Sequence, residues 1–331
     1  MLIGHQKQWQ FLKKSFKLGR IPHGLLFQGQ GKLGKKTFAL EFIKLVNCQN
    51  NDFSARPCQK CISCQEIEKR IHPDFILVEP LRKDYNPPTT SSHPSPRSGR
   101  APTIQISQIR DLSLRLASKP FLAYFKSAII DQAHLMSPEA QSCFLKTLEE
   151  PKGKTLLILI TEYPERLLPT ILSRVQKIKF CPVKKADIKN YLISQGLSEN
   201  KAEELSLLSF GKPGRALDFL LMPAKLENQK QKISDLIKIC NSPLVFRFQY
   251  LKDLSLESKN LKEILEIWLR YFRKKLLEAT SNQQPAISNQ QPRYSLLKLK
   301  KILQLIQDTI FYISTTNINP KLALEMLILE L

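Results

Sequence analysis

The sequence predicts an α/β fold, a parallel sheet covered by helices, followed by a part built only of helices. Three observations carry this. Up to Phe180, near-continuous apolar runs of strand length alternate with helical periodicities, the pattern of a sheet buried on both faces. A glycine-rich loop joins the first apolar run to the next helical stretch, in the order strand, loop, helix. After Pro182 no run of strand character remains.

Residues 5–18 read as a helix with Trp9, Leu12 and Phe16 on one face. His23 to Phe27 is a short strand entering the loop, and Thr37 to Val46 carries Phe38, Phe42, Ile43 and Val46 at helical spacing. Further strands are expected at Phe75–Val78, Ala128–Ile130, Leu156–Ile160 and Ile178–Phe180, with helices at 104–117 and 138–149. Residues 82–103, dense in Pro, Ser and Thr, read as a disordered insertion. Short helices are expected over 184–222, broken at Gly196 and at Gly211 to Gly214. From about residue 229 the chain reads as helical, with Leu261, Ile264, Leu265, Trp268 and Phe272 on one stripe and Leu296, Leu299, Ile302, Leu303 and Ile306 on another. A polar linker with a doubled SNQQP (281–285 and 288–292) separates these stripes. The expected domains are 1–181, the α/β part, then 182–224, a small helical lid, and 225–331, a helical oligomerisation domain.

The loop Gly29 to Thr37 fits G-x-x-x-x-G-K, with Gly29, Gly34 and Lys35 in place. Lys36, however, stands where a Ser or Thr hydroxyl would hold Mg²⁺. Sliding the register so that Lys36 and Thr37 form the pair puts Lys35 where a glycine backbone is needed. A plainer alternative is a glycine turn that only packs strand on helix. A second loss follows Ala128–Ile130: Asp131 ends the run, and Gln132 occupies the place of a catalytic Glu. An amide can hydrogen-bond a water but cannot deprotonate it. The expectation is a nucleotide-handling fold that does not hydrolyse its nucleotide. Lys35 and the loop amides can still cradle ATP phosphates, while Lys36 either takes the cation's place or blocks the pocket.

Cys48, Cys58, Cys61 and Cys64 are bunched, the last three as C-x2-C-x2-C. Four thiolates about 2.3 Å from one ion make a closed tetrahedral Zn²⁺ site, structural rather than catalytic. A disulfide is disfavoured in a reducing cytosol, and a thioredoxin-type pair needs one C-x-x-C at a helix start. Cys143, Cys181 and Cys240 read as ordinary buried thiols.

Fifty-one basic and 29 acidic residues give +22, a balance that favours contact with a polyanion, nucleic acid above all. A general lysine bias with solvated charges is the competing explanation. No apolar run reaches the roughly 18 residues of a membrane span, and the amphipathic start MLIGHQKQWQFLKK lacks the apolar core of a signal peptide. A cytoplasmic location without membrane contact is expected.

HGLLFQGQGKLGKKT, the four cysteines, His72-Pro73-Asp74, IIDQAHLMSPEAQSCFLKTLEEP and LPTILSRV together resemble the bacterial clamp-loader AAA+ subunits, most closely the delta-prime type of DNA polymerase III. The likeness covers roughly residues 20–180, and the C-terminal third shares only helical character. It implies an AAA+ nucleotide-binding domain with an inserted zinc module (48–64), a helical lid and a helical collar. It implies that Ser173 and Arg174 belong to the motif whose Arg serves as an arginine finger in a neighbour's site. Val175 stands where the family has Cys. Thr161 matches a position sensing the terminal phosphate. The second sensor Arg of motor subunits aligns with Gly214, and Arg215 comes one position late, about 100° around a helix. The implied partners are the gamma/tau and delta subunits, the beta sliding clamp and primed DNA. The alternative within the family is an ATP-hydrolysing gamma/tau-type motor. A zinc-containing nucleic-acid module outside replication leaves the KTLEEP and ILSR blocks unexplained.

Overall fold

The computed structural model describes residues 2–81, 102–253, 258–280, 294–315 and 318–330. The body of the expected insertion and the SNQQP repeats lie outside the described residues. The chain divides into two compact units, Met1–Leu220 and Leu221–Leu331.

The first unit runs α1 (Gln6–Lys17), β1 (Gly24–Gln28), α2 (Lys35–Asn47), α3 (Ile62–Lys69), β2 (Phe75–Val78), α4 (Ile106–Ala117), β3 (Lys126–Ile130), α5 (Pro138–Glu149), β4 (Thr155–Thr161), α6 (Pro169–Leu172), β5 (Gln176–Lys179), α7 (Lys185–Ser194), α8 (Glu199–Ser209) and α9 (Pro213–Leu221). Among the described residues five strands form one sheet in the order β2-β3-β4-β1-β5, every pairing parallel. Alternation along the strands feeds two cores. Leu26, Ala128, Ile130, Leu157 and Leu159 pack with Ile109 and Leu112 of α4 and Phe144 of α5. Leu25, Phe27, Ile129, Leu156 and Ile158 pack with Leu12 of α1 and Phe38 and Phe42 of α2. Trp9 and Phe16 close over that second core.

Several boundaries differ from expectation for local reasons. α2 begins at Lys35 rather than Thr37, because Gly34 turns the chain at φ 87°, a conformation that costs glycine little. α9 begins at Pro213, inside the expected break, since proline suits a first helical position. Helices α3 and α6 arise where no helix was expected. Both are short, eight and four residues respectively, too short to declare a period. Leu81 and Thr103, flanking the undescribed insertion, pair in an antiparallel bridge with Leu81 N–H donating to Thr103 O at 3.1 Å.

The second unit holds α10 (Pro223–Asn241), α11 (Leu244–Asp253), α12 (Ser258–Thr280), α13 (Leu296–Thr315) and α14 (Pro320–Glu330). Its core gathers Leu236, Leu261, Leu265, Trp268, Phe272, Leu299, Ile302, Ile306 and Leu324, with Leu303 packed against it. Leu296, expected on the buried stripe, is exposed, because it opens α13 one turn before the helix meets its neighbours. No helix of the described residues is long and apolar enough to cross a membrane.

Candidate functional site

All strands are parallel, so their carboxyl ends share one side of the sheet, where ligands of open α/β sheets bind. There a cleft of about 460 Å³ is lined by Gly34, Lys35, Lys36, Thr37, Asp131, Gln132 and Thr161, together with Lys32, His134, Glu162 and Gly214. The sequence-predicted nucleotide residues therefore meet in one place, with Gly29 set back beneath the loop. Gly29 N–H donates to Thr161 O at 3.2 Å, binding the loop to β4.

Each side chain has a definite position. Lys35 is buried, and its ammonium turns back to the loop's own Gly29 O and to Gln30 O at 2.6 Å. Lys36, the second residue of α2, pairs with Glu79 and lies 3.2 Å from Asp131 Oδ2. Thr37, one position further round the helix, is exposed and does not replace the missing hydroxyl. Gln132 adopts φ 52°, and its N–H donates to Asp131 Oδ1 at 3.0 Å. Thr161 ends β4 and is buried; its Oγ1 accepts from Tyr163 N–H at 3.0 Å and pairs with His134 Nδ1 at 3.2 Å. From α9 the cleft is lined by Gly214 and not by Arg215. Gly214 N–H bonds Lys32 O at 2.9 Å, and a Cβ there would stand 3.0 Å from that oxygen, a tight contact that a larger residue would have to relieve by a small shift of the loop.

Sequence reasoning missed Glu79, Glu162, His134 and the 2.8 Å pair between Lys32 and Asp218. Glu79 had one readable signal: it is the first residue past an apolar strand, as Asp131 is.

Ser173 and Arg174 stand elsewhere. They precede β5, which pairs with β1 at Leu25↔Gln176, so Arg174 lies at the amino end of the sheet. The loop leaves the other end, beyond the five residues of β1, about 13 Å of strand. Arg174 is exposed; Nη1 donates to Thr170 O at 2.9 Å and to Ser173 Oγ at 3.4 Å, and Nη2 meets Glu149 Oε1 at 2.8 Å. An ion pair this exposed contributes about 0–1 kcal/mol, so another anion can take the guanidinium at little cost.

The cysteine cluster also lies toward the amino end. α2 runs back from the loop, and Asn47 in its last turn bonds Ser127 Oγ at 3.2 Å, at the start of β3. Cys48 caps that helix, and Cys61 caps α3, its sulfur accepting from Cys64 N–H at 3.5 Å. The ligand atoms of Cys48, Cys58, Cys61 and Cys64 lie within 4.8 Å of one another. A tetrahedral Zn²⁺ site needs sulfurs about 3.8 Å apart, so a small closure suffices and the donor set fits. N–H groups of Lys60 and Cys61 lower the Cys58 thiol to about 6, toward the thiolate a metal needs. Burial raises the Cys64 thiol, as do its Cys61 and Cys48 neighbours, the crowding an ion would relieve. Buried Lys44 pins this segment, bonding Gln59 Oε1 at 2.8 Å and Glu68 Oε2 at 2.6 Å and pairing with Glu41. Of the remaining cysteines, Cys240 is buried, Cys143 half-buried and Cys181 exposed. The expectation of a buried Cys181 fails because it leaves edge strand β5, whose outer face is solvated.

His72-Pro73-Asp74 is an architectural anchor. The buried Asp74 carboxylate accepts N–H bonds from Phe121, Leu122 and Ala123 at 2.7–2.9 Å, and Asp74 N–H bonds His72 Nδ1 at 3.1 Å. It fixes the loop before β3, on which Phe121, Leu122 and Tyr124 are exposed.

Comparison with known proteins extends this geometry. A family model described as DNA polymerase III, delta subunit, matches residues 4–184. DNA polymerase III subunit delta' of Bacillus subtilis is 33% identical over 197 residues, 60% of this chain and 54% of that protein. Its Pseudomonas aeruginosa counterpart is 31% identical over 194 residues, 58% of this chain and 53% of that protein. The matched part thus spans about half the length of these two relatives. DNA polymerase III subunit gamma of Buchnera aphidicola (subsp. Schizaphis graminum) is 26% identical over 372 aligned residues, 99% of this chain and 93% of that protein. The match to the family model covers more than half of the chain and includes the loop, Asp131, the four cysteines and Arg174, and the chain belongs to the DNA polymerase III delta subunit family.

Proposed function

We propose that this chain is a clamp-loader subunit of the DNA polymerase III holoenzyme, of the non-hydrolysing delta-prime type. It acts in the cytoplasm beside gamma/tau and delta subunits, supplies Arg174 to a neighbouring ATPase site, and helps load the beta clamp on primed DNA. Its zinc module is structural, and its helical C-terminal part serves as the collar.

The observation that carries this reading is the pair of groups at the cleft: a lysine at the metal-holding position and the Gln132 amide at the position of the base. Losing either a metal ligand or a general base typically costs about 10²-fold or more in rate, and here both are lost in one cleft. The placement of Arg174 agrees with donation in trans, since its own loop lies beyond the length of β1. The Lys and Arg excess favours contact with a polyanion.

The full-length match to a gamma subunit favours a second reading, an ATP-hydrolysing motor. One assay separates the two. The purified chain alone should show no Mg²⁺-dependent ATP turnover, and a rate of order 1 s⁻¹ would establish the motor instead.

A further inference from the structure

Two carboxylates converge at the carboxyl end of the sheet. Glu79 follows β2 and Asp131 follows β3, and these strands are neighbours; Asp131 N–H bonds Val78 O at 2.9 Å. Both carboxylates face one atom, Lys36 Nζ, which pairs with Glu79 and lies 3.2 Å from Asp131 Oδ2. The other oxygen of Asp131 is taken by Gln132 N–H at 3.0 Å.

A complete loop of this type would place a hydroxyl at position 36 and a Mg²⁺ ion beside Asp131. Mg²⁺ demands oxygen donors at about 2.0–2.1 Å in octahedral array. The side chain at position 36 offers no oxygen and carries a positive charge. The residues present do not fit a resident Mg²⁺.

We propose that Lys36 is a tethered cation, its ammonium standing at the Glu79–Asp131 pair in place of a divalent metal ion. This goes beyond the non-hydrolysing role and requires nothing of Arg174 or of any partner.

Electrostatics supports it from both sides. The first turn of a helix carries roughly half a positive charge, and α2 has no acidic residue in its first turn. A lysine there, next to buried Lys35, is unfavourable unless anions face it. Conversely, two carboxylates drawn to one point repel each other unless a cation lies between them. Lys36 answers both demands with one side chain. Being covalently held, it does not dissociate, and an incoming divalent ion would have to displace it without gaining a hydroxyl ligand.

The test titrates the full-length, zinc-loaded protein with Mn²⁺ alone, reading bound metal by electron paramagnetic resonance and recording thermal melts with and without Mg²⁺. The wild type should take up no Mn²⁺ that Asp131→Asn abolishes, and its Tm should not respond to Mg²⁺. Lys36→Ser frees the carboxylates and supplies a hydroxyl. It should bind one Mn²⁺ per chain and gain Tm on addition of Mg²⁺, and Lys36→Ser combined with Asp131→Asn should lose both gains. Asp131-dependent Mn²⁺ binding by the wild type overturns the proposal, as does a folded Lys36→Ser protein that takes up none. If Lys36→Ser folds in neither buffer, Lys36→Arg and Lys36→Met decide: a Tm kept by Lys36→Arg and lowered by Lys36→Met supports the tethered cation, and an equal Tm for the two overturns it. ATP turnover is not read, so this outcome is separate from the hydrolysis assay.

Discussion

At the carboxyl end of the sheet the ionic groups are turned on one another. Lys35 is bonded to its own loop, Lys36 lies between Glu79 and Asp131, and Lys32 meets Asp218. At the amino end, buried contacts hold the chain in shape. The four cysteines, Lys44 with Glu68, and Asp74 with its N–H donors lie there, while Arg174 stays exposed, its charge met only by the exposed Glu149 among the described residues. In a nucleotide-hydrolysing α/β domain the carboxyl end would hold the open, reactive charge. Here that charge is at the other end. Such self-pairing leaves the sheet beneath it undisturbed, because the strands are held by two apolar cores and not by the cleft.

The largest expected effect tests the amino end as a structural base. Metal analysis should give one zinc per chain, and Cys61→Ser should lose it. Zinc binding of this kind is coupled to roughly 10 kcal/mol of local folding free energy. A zinc-free protein that melts like the native one would remove the cysteines from the comparison. Next comes Arg174→Ala, which should lower stimulated ATP hydrolysis by the reconstituted gamma/tau and delta subunits about 10³-fold while leaving assembly intact by gel filtration. Normal stimulation would show that the exposed charge is not used as a finger.

Asp74→Ala should cost about 3 kcal/mol in urea unfolding, since it leaves the N–H groups of Phe121, Leu122 and Ala123 without their acceptor. The same anchor predicts acid sensitivity. Burial alone would raise the Asp74 carboxyl, but the N–H bonds from Leu122, Phe121 and Ala123 outweigh it and hold the pKa below the ordinary value. Burial likewise lowers His72, despite the nearby Asp74 and Glu66 charges. Both groups bind protons less readily folded than unfolded, so each stabilises the fold above its unfolded pKa and loses that contribution as pH falls through its folded one. Wild-type Tm should therefore decline below the ordinary histidine range and again below the ordinary carboxylate range, and Asp74→Ala should flatten the lower step. The smallest effect is expected for Glu149→Gln, within about 1 kcal/mol, with stimulation by Arg174 retained or raised.

The sheet was legible in the sequence because most of its strands are near-continuous apolar runs of strand length, Leu156–Ile160 above all. The cysteine cluster was legible from spacing alone. What escaped was whatever depends on a meeting of distant residues. Glu79 is 43 residues from Lys36, and no local pattern marks it as that lysine's partner. The sequence left two fates open for Lys36, and the placement of Asp131 and Glu79 around its one nitrogen, which supports the first of them, is not written in any local pattern. Cys181 and Leu296 were misjudged because burial at the end of an element depends on what lies beyond it. His72-Pro73-Asp74 was visible as a motif, but its work on residues 121–123 lies in backbone hydrogen bonds that no composition reveals.

The anchoring by Asp74 has one more consequence. Phe121, Leu122 and Tyr124 are held out to solvent by a backbone that cannot fold them away. An apolar tip on a slack loop would collapse onto the nearest surface and lose freedom again on meeting another molecule. This one has met that entropic cost during folding, so any surface that closes over it gains contact with an already ordered shape.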